Sequence, residues 1–114
     1  MTTLKDVLTV GDSVTIAASG TTSDALDMQG YTLCAIIMPA AFTGASLTFS
    51  VSDDGNTFYT MYTTSNAAVT CYVTQGRWYG LMPTDFAGVR YLKVISSSTE
   101  GSARTVKLVR RVAE

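Results

Sequence analysis

The sequence predicts an all-β protein, an antiparallel β-sandwich with jelly-roll-like topology built from about eight or nine short strands. Apolar and hydroxyl residues alternate with a period of two in several segments, most clearly Leu47, Phe49 and Val51 against Thr48, Ser50 and Ser52. That period places the two sets on opposite faces of a half-buried strand. Turn chemistry recurs between such segments, as in Asp53-Asp54-Gly55-Asn56, Gln75-Gly76 and Ser19-Gly20-Thr21-Thr22. No segment carries the apolar spacing of a long helix.

Taken in order, Leu4, Val7, Leu8 and Val10 lie in a short β-branched segment ended by Gly11, which predicts a short strand or an extended arm over residues 1–12. Ser13 to Ala18 sets Val14 and Ile16 at period two, and Asp24 to Met28 reads as a very short strand before Gly30. Tyr31 to Met38 is a continuous apolar run closed by Pro39, the pattern of a strand covered on both faces, with a buried helical turn as the alternative. Ala45 to Thr64 forms a hairpin, its return strand bearing Phe58, Tyr59, Met61 and Tyr62. In Ala68 to Thr74, Val69, Cys71 and Val73 oppose Thr70 and Tyr72, and Arg77 to Met82 brings in Trp78 and Tyr79. Pro83 to Gly88 predicts a structured loop or single helical turn in which Pro83 presets φ, Asp85 caps and Phe86 plugs the core. Val89 to Ser96 is a strand with Leu92 and Val94 inward and Tyr91 and Lys93 outward. A polar, mobile loop over Ser96 to Ser102 then leads to the closing strand, Ala103 to Val112, with Val106 and Leu108 facing the core.

At 114 residues, one core in a single domain over residues 1–114 suffices without metals or disulfides. Charged residues are 15% of the chain, against about 25% in a typical soluble domain, and Ser and Thr supply about a quarter of all positions. A surface so poor in charge predicts partial cover by other subunits, in dimers or trimers. The net charge of −1 gives no long-range field to attract nucleic acid or an anionic membrane. No stretch approaches the ~20 apolar residues of a membrane span, and no basic region precedes an apolar run at the amino terminus, so synthesis in the cytoplasm is the expectation.

The absence of histidine removes Ser/His/Asp and Cys/His catalysis. Asp53, Asp54, Asp85 and Glu100 could serve as paired carboxylates on a glycoside, but all four lie in turn-like contexts where acidic residues are common. A non-enzyme without cofactor or metal is expected. The Asp53–Asn56 turn lacks the spaced ligands of a calcium loop, and Cys34 and Cys71 read as buried free thiols, with a disulfide between them as the alternative. Tyr59, Tyr62, Tyr72, Trp78, Tyr79 and Tyr91 supply either packing or an aromatic platform for sugar rings, with Trp78 and Tyr79 as its centre. Arg110 and Arg111, with Arg104 and Lys107 nearby, read as charge protecting an edge strand or as a contact for an acidic partner.

The segments SLTFSVSDDGNTFYTMY and PTDFAGVRYLKVISSS, with the closing RTVKLVRR, resemble small β-sandwich structural proteins of tailed bacteriophages. The likeness covers most of residues 45 to 111, and more loosely extends to galactose-binding-like, discoidin-type jelly rolls. It implies a virion component made in the bacterial host cytoplasm: a capsid decoration (cement) protein on the capsid exterior, with the major capsid protein as partner. Leu4, Val7, Leu8, Asp85, Phe86, Arg110 and Arg111 are then the expected partner contacts, chosen from exposure and shape. A glycan-binding or accessory module of a phage tail or fibre is the alternative, with Trp78 and Tyr79 as its platform.

Overall fold

The computed structural model describes residues 9–112, so Leu4, Val7 and Leu8 lie outside the described residues. The strands are β1 (Thr9–Ile16), β2 (Leu26–Asp27), β3 (Tyr31–Ile37), β4 (Ser46–Ser52), β5 (Tyr59–Thr60), β6 (Thr70–Tyr72), β7 (Trp78–Gly80), β8 (Tyr91–Ser96) and β9 (Arg104–Val112). They form two antiparallel sheets, one ordered β1-β9-β3-β7 and the other β2-β8-β4-β5, with β6 also paired to β4. The predicted β-sandwich is therefore the observed architecture. Strand β1 runs through Gly11 instead of ending there, because its backbone is paired with β9 from Thr9 to Ile16.

The inward faces follow the period of two. Val14 and Ile16 from β1, Leu33 and Ile36 from β3, Leu47 and Phe49 from β4, Leu92 and Val94 from β8, and Val106 and Leu108 from β9 are all buried. Strand β3 breaks strict alternation because the register shifts between Leu33 and Ala35, a bulge at Cys34 that lets Leu33 and Ile36, three positions apart, both face inward opposite Arg110 and Leu108. The Asp53–Asn56 turn follows β4 as expected. The Asp54 carboxylate accepts backbone N–H bonds from Asn56 and Thr57 at 2.8 and 3.0 Å, which with Ser52 hold its pKa below the ordinary aspartate value. The return strand is shorter than predicted, Tyr59–Thr60 only, and an isolated antiparallel bridge between Tyr62 and Ala68 closes the loop that leads on to β6.

Pro83–Phe86 forms a single 3-10 turn. Phe86 enters the core, where its ring meets that of Phe49 edge-on at 5.1 Å. Asp85 makes no cap: the residue at the cap position is Met82, with no side-chain hydrogen bond. Cys34 and Cys71 are free but half-buried, and burial raises both thiol pKa values, opposed at Cys34 by the Arg111 charge.

Two buried charges correct the sequence expectations for the closing strand and the loop before it. Strand β9 lies between β1 and β3, not at an edge, and Arg110 follows Val106 and Leu108 onto the inner face, 2% exposed. Its guanidinium donates to the carbonyls of Asp27 and Met28 at 3.2 and 3.3 Å and to the Asp12 carboxylate at 3.3 Å. The Tyr31 ring lies 5.3 Å from its Cζ. The loop expected to be mobile is instead tied down by Glu100, which is fully buried. Its carboxylate accepts from the Thr43 and Gly44 backbone at 2.9 and 3.0 Å, from Ser96 Oγ at 2.8 Å and from Arg104 Nε at 3.0 Å.

Burial pushes the Glu100 carboxyl up, but the four hydrogen-bond donors outweigh it and hold the pKa below the ordinary glutamate value. A depressed carboxyl pKa contributes stability that is complete above the unfolded value of about 4.3 and is lost as pH falls through the folded value. We predict that Glu100→Ala lowers unfolding free energy at neutral pH by about 3–5 kcal/mol, the range for removing one partner of a buried pair. Urea titrations across pH should show the gap between wild type and variant narrowing only below about pH 4. A gap that is constant down to strongly acidic pH would contradict the assignment.

Candidate functional site

Strand β7 aligns with β3 as Trp78 beside Ile37, Tyr79 beside Ile36 and Gly80 beside Ala35. Ile36 is fully buried, so Tyr79 turns inward with it and packs against the core, its hydroxyl accepting the Thr74 N–H at 2.7 Å. Trp78 points the other way and is 61% exposed. Neighbouring strand residues face opposite sides of a sheet. Trp78 and Tyr79 therefore do not form the joint platform expected from the sequence, and the indole stands alone on the outer face of the four-stranded sheet.

The ladder registers define what surrounds it. Ser13, Lys107, Ile37 and Trp78 form one cross-strand row, and Gly11, Val109, Ala35 and Gly80 form the next. The second row is all small or medium residues, so it forms a trough beside the indole and the Lys107 stem. A hollow of about 290 Å³ lies at its β1 end, lined by Gly11, Ser13, Ile37, Lys107 and Val109 among others. A Cβ built at either Gly11 or Gly80 would meet nothing within 4 Å, so the trough is open at both glycines. The sequence offers no site signal at Ile37, Ser13 or Gly80, and Lys107 enters it only as a member of the basic cluster of the closing strand, a contact for an acidic partner. The signal that places them is the same period of two, once the strand pairing is known.

The remaining predicted site residues are dispersed. Phe86 and Arg110 are buried and hold the interior, so neither is available to a partner, whereas Asp85 and Arg111 are exposed. Asp85 lies on a separate cleft of about 380 Å³ between β6 and the segment after β7, floored by Phe49 and Phe86 and rimmed by Tyr72 and Met82. The Thr70 hydroxyl there already donates to the Ala68 carbonyl at 3.0 Å. Asp53 lines a third hollow, of about 290 Å³, with Tyr59, Gly88 and Val89. The carboxylates considered for glycoside chemistry are thus apart: Asp53 and Asp85 line different hollows, Asp54 holds a turn and Glu100 is buried. Among the described residues no cluster of three or more His, Cys, Asp or Glu side chains is arranged to hold a metal ion.

Of these surfaces, the outer face around Trp78 combines the largest exposed ring with polar groups that remain free to donate. A sugar ring stacks its C–H face on such a ring, drawn by area burial and by the negative face of the π system, while its hydroxyls reach flanking donors. The cleft near Tyr72 offers a ring and one carboxylate over an apolar floor.

No protein-family model matches the sequence, and no curated protein matches it. Among solved structures the chain is similar to CBM32-1 from a family 31 glycoside hydrolase from Clostridium perfringens. The two share 17% sequence identity at a TM-score of 0.55, over 90% of this chain and 75% of that one. At this identity the likeness shows the fold alone, an antiparallel β-sandwich.

Proposed function

We propose that this protein is a non-catalytic carbohydrate-binding module that holds a glycan against the outer face of the β1-β9-β3-β7 sheet, with Trp78 as the stacking residue. The observation that carries the reading is the 61% exposure of the chain's single tryptophan on a strand face. Tryptophan is enriched at binding surfaces, where its broad ring packs against a partner while the indole N–H stays in reach of polar groups. The fold shared with a carbohydrate-binding module supports the same reading. The sheet supplies pre-organisation: β7 is fixed by β3, and β3 by β9, so the ring and the neighbouring donors lose little freedom on binding. The trough beside Trp78 gives an elongated ligand room to lie across the strands.

A second reading is favoured by a different observation. Tyr59, Tyr62, Tyr72 and Met82 are each exposed by more than half, and they lie off the Trp78 row. That is more apolar surface than one stacked sugar requires, and it suits docking against other subunits. With the likeness to phage structural proteins, it supports a virion decoration role on the major capsid protein, as a dimer or trimer. Saturable co-sedimentation with capsids lacking the protein, and delayed thermal disruption of those particles, is the result this reading requires. Unchanged capsid stability and no bound protein would remove it.

For the leading reading, affinity electrophoresis through gels containing a panel of polysaccharides is the direct test. Wild type should be retarded by at least one of them, and Trp78→Ala should lose about 1–3 kcal/mol of binding, the range for an aromatic stacking contact. Its unfolding free energy should stay within about 0.5 kcal/mol of wild type, because the site is on the surface. Gly80→Val should also fold normally, having space for the side chain and β-favouring geometry, yet bind less well because it fills the trough. Equal retardation of all three proteins would contradict the assignment.

A further inference from the structure

Among the described residues, the charged side chains that alternate outward along β9 on the Trp78 face are both cations. Lys107 and Arg111 project from β9 between the buried Val106, Leu108 and Arg110, and both are exposed. The described ion pairs join Arg90 to Asp27, Arg104 to Glu100 and Arg110 to Asp12, so neither Lys107 nor Arg111 has a carboxylate partner among the described residues. Asp12, which lines the hollow, is ion-paired with Arg110 at 3.3 Å. The whole chain is nevertheless slightly acidic, with a net charge of −1. Two cations without a carboxylate partner among the described residues are therefore a local feature of this sheet face and not a reflection of composition.

Their spacing relates them to the indole. Lys107 and Trp78 flank Ile37 in a single cross-strand row, which sets their backbones two strand spacings, or ~10 Å, apart. Arg111 lies four residues further along the same strand, ~13 Å away. A sugar ring seated on Trp78 can therefore extend an exocyclic substituent over Ile37 toward the Lys107 ammonium, and a following residue can reach Arg111. Apart from Asp12 no carboxylate borders the trough among the described residues, so the face has cations to complement an anionic group and no free acid to repel it.

We infer that the ligand of this face is an acidic glycan, a sugar chain bearing carboxylate or sulfate groups that are held by Lys107 and Arg111 while one ring stacks on Trp78. The inference rests on the glycan-binding reading of the same face and adds the charge class of its ligand. Recognition is then the sum of a salt-insensitive stacking contact and a salt-sensitive charge contact.

The test uses the same full-length protein in gels containing polygalacturonate, dextran sulfate, neutral galactan or neutral dextran. Wild type should bind at least one acidic polymer about tenfold more tightly than the neutral polymers, the size of one charge-assisted contact. Whichever acidic polymer is preferred names the group, carboxylate or sulfate. Lys107→Gln should erase most of that preference, Arg111→Gln part of it, and Trp78→Ala should lose the acidic polymer as well. Tight binding to galactan or dextran that Lys107→Gln leaves unchanged would overturn the acidic-ligand inference and leave the carbohydrate-binding function standing. Retardation by acidic polymers that survives Trp78→Ala would overturn it in another way, as simple polyanion attraction. No retardation by any of the four would count against both.

Discussion

The position of β9 between β1 and β3 is the constraint on which the rest of this structure depends. A strand paired on both sides has its register fixed twice, and its period of two then decides the fate of every side chain along it. Val106, Leu108 and Arg110 go inward, while Lys107, Val109 and Arg111 go outward. The same registers bring Ser13, Ile37 and Trp78 into line with Lys107 from three other strands. A slip of one residue in β9 would bury Lys107 and expose Leu108, so the surface proposed to bind glycan is as well defined as the core beneath it.

Buried polar groups set the ends of that strand. At its start, Glu100 gathers the backbone of residues 43 and 44, the Ser96 hydroxyl and Arg104 around one carboxylate, joining the loop before β4 to the turn between β8 and β9. Near its end, Arg110 ties the chain between β2 and β3 to β1 through two carbonyls and Asp12. Its Nε is the one buried side-chain nitrogen or oxygen with no partner among the described residues. Both charges are compensated by local hydrogen bonds, the condition under which a charge is tolerated in a sandwich interior.

Much of the fold was legible because alternation is a local property. Leu47, Phe49, Leu92, Val94, Val106 and Leu108 were read as inward from spacing alone, and all six are fully buried. Arg110 was legible too: it continues the Val106 and Leu108 phase, but its charge suggested an exposed edge. The separation of Trp78 from Tyr79 follows from the same rule, since adjacent strand residues face opposite sides. Glu100 was not legible. Its environment comes from segments more than fifty residues apart in sequence, Thr43 and Gly44 being 57 and 56 residues away. The Lys107–Ile37–Trp78 row was hidden for the same reason, because only long-range pairing brings β9, β3 and β7 side by side.

On the proposed function, the outer face of the four-stranded sheet receives a glycan, and the cleft beside Tyr72 and the hollow beside Asp53 do not. Amide chemical-shift mapping with an oligosaccharide taken from whichever polymer retards the protein tests it directly. Perturbations should cluster at Ser13, Ile37, Trp78, Gly80, Lys107 and Val109, together with the Trp78 indole N–H. Perturbations centred on Tyr72, Met82 and Asp85, or on Asp53, Tyr59 and Val89, with the Trp78 signals unmoved, would contradict it.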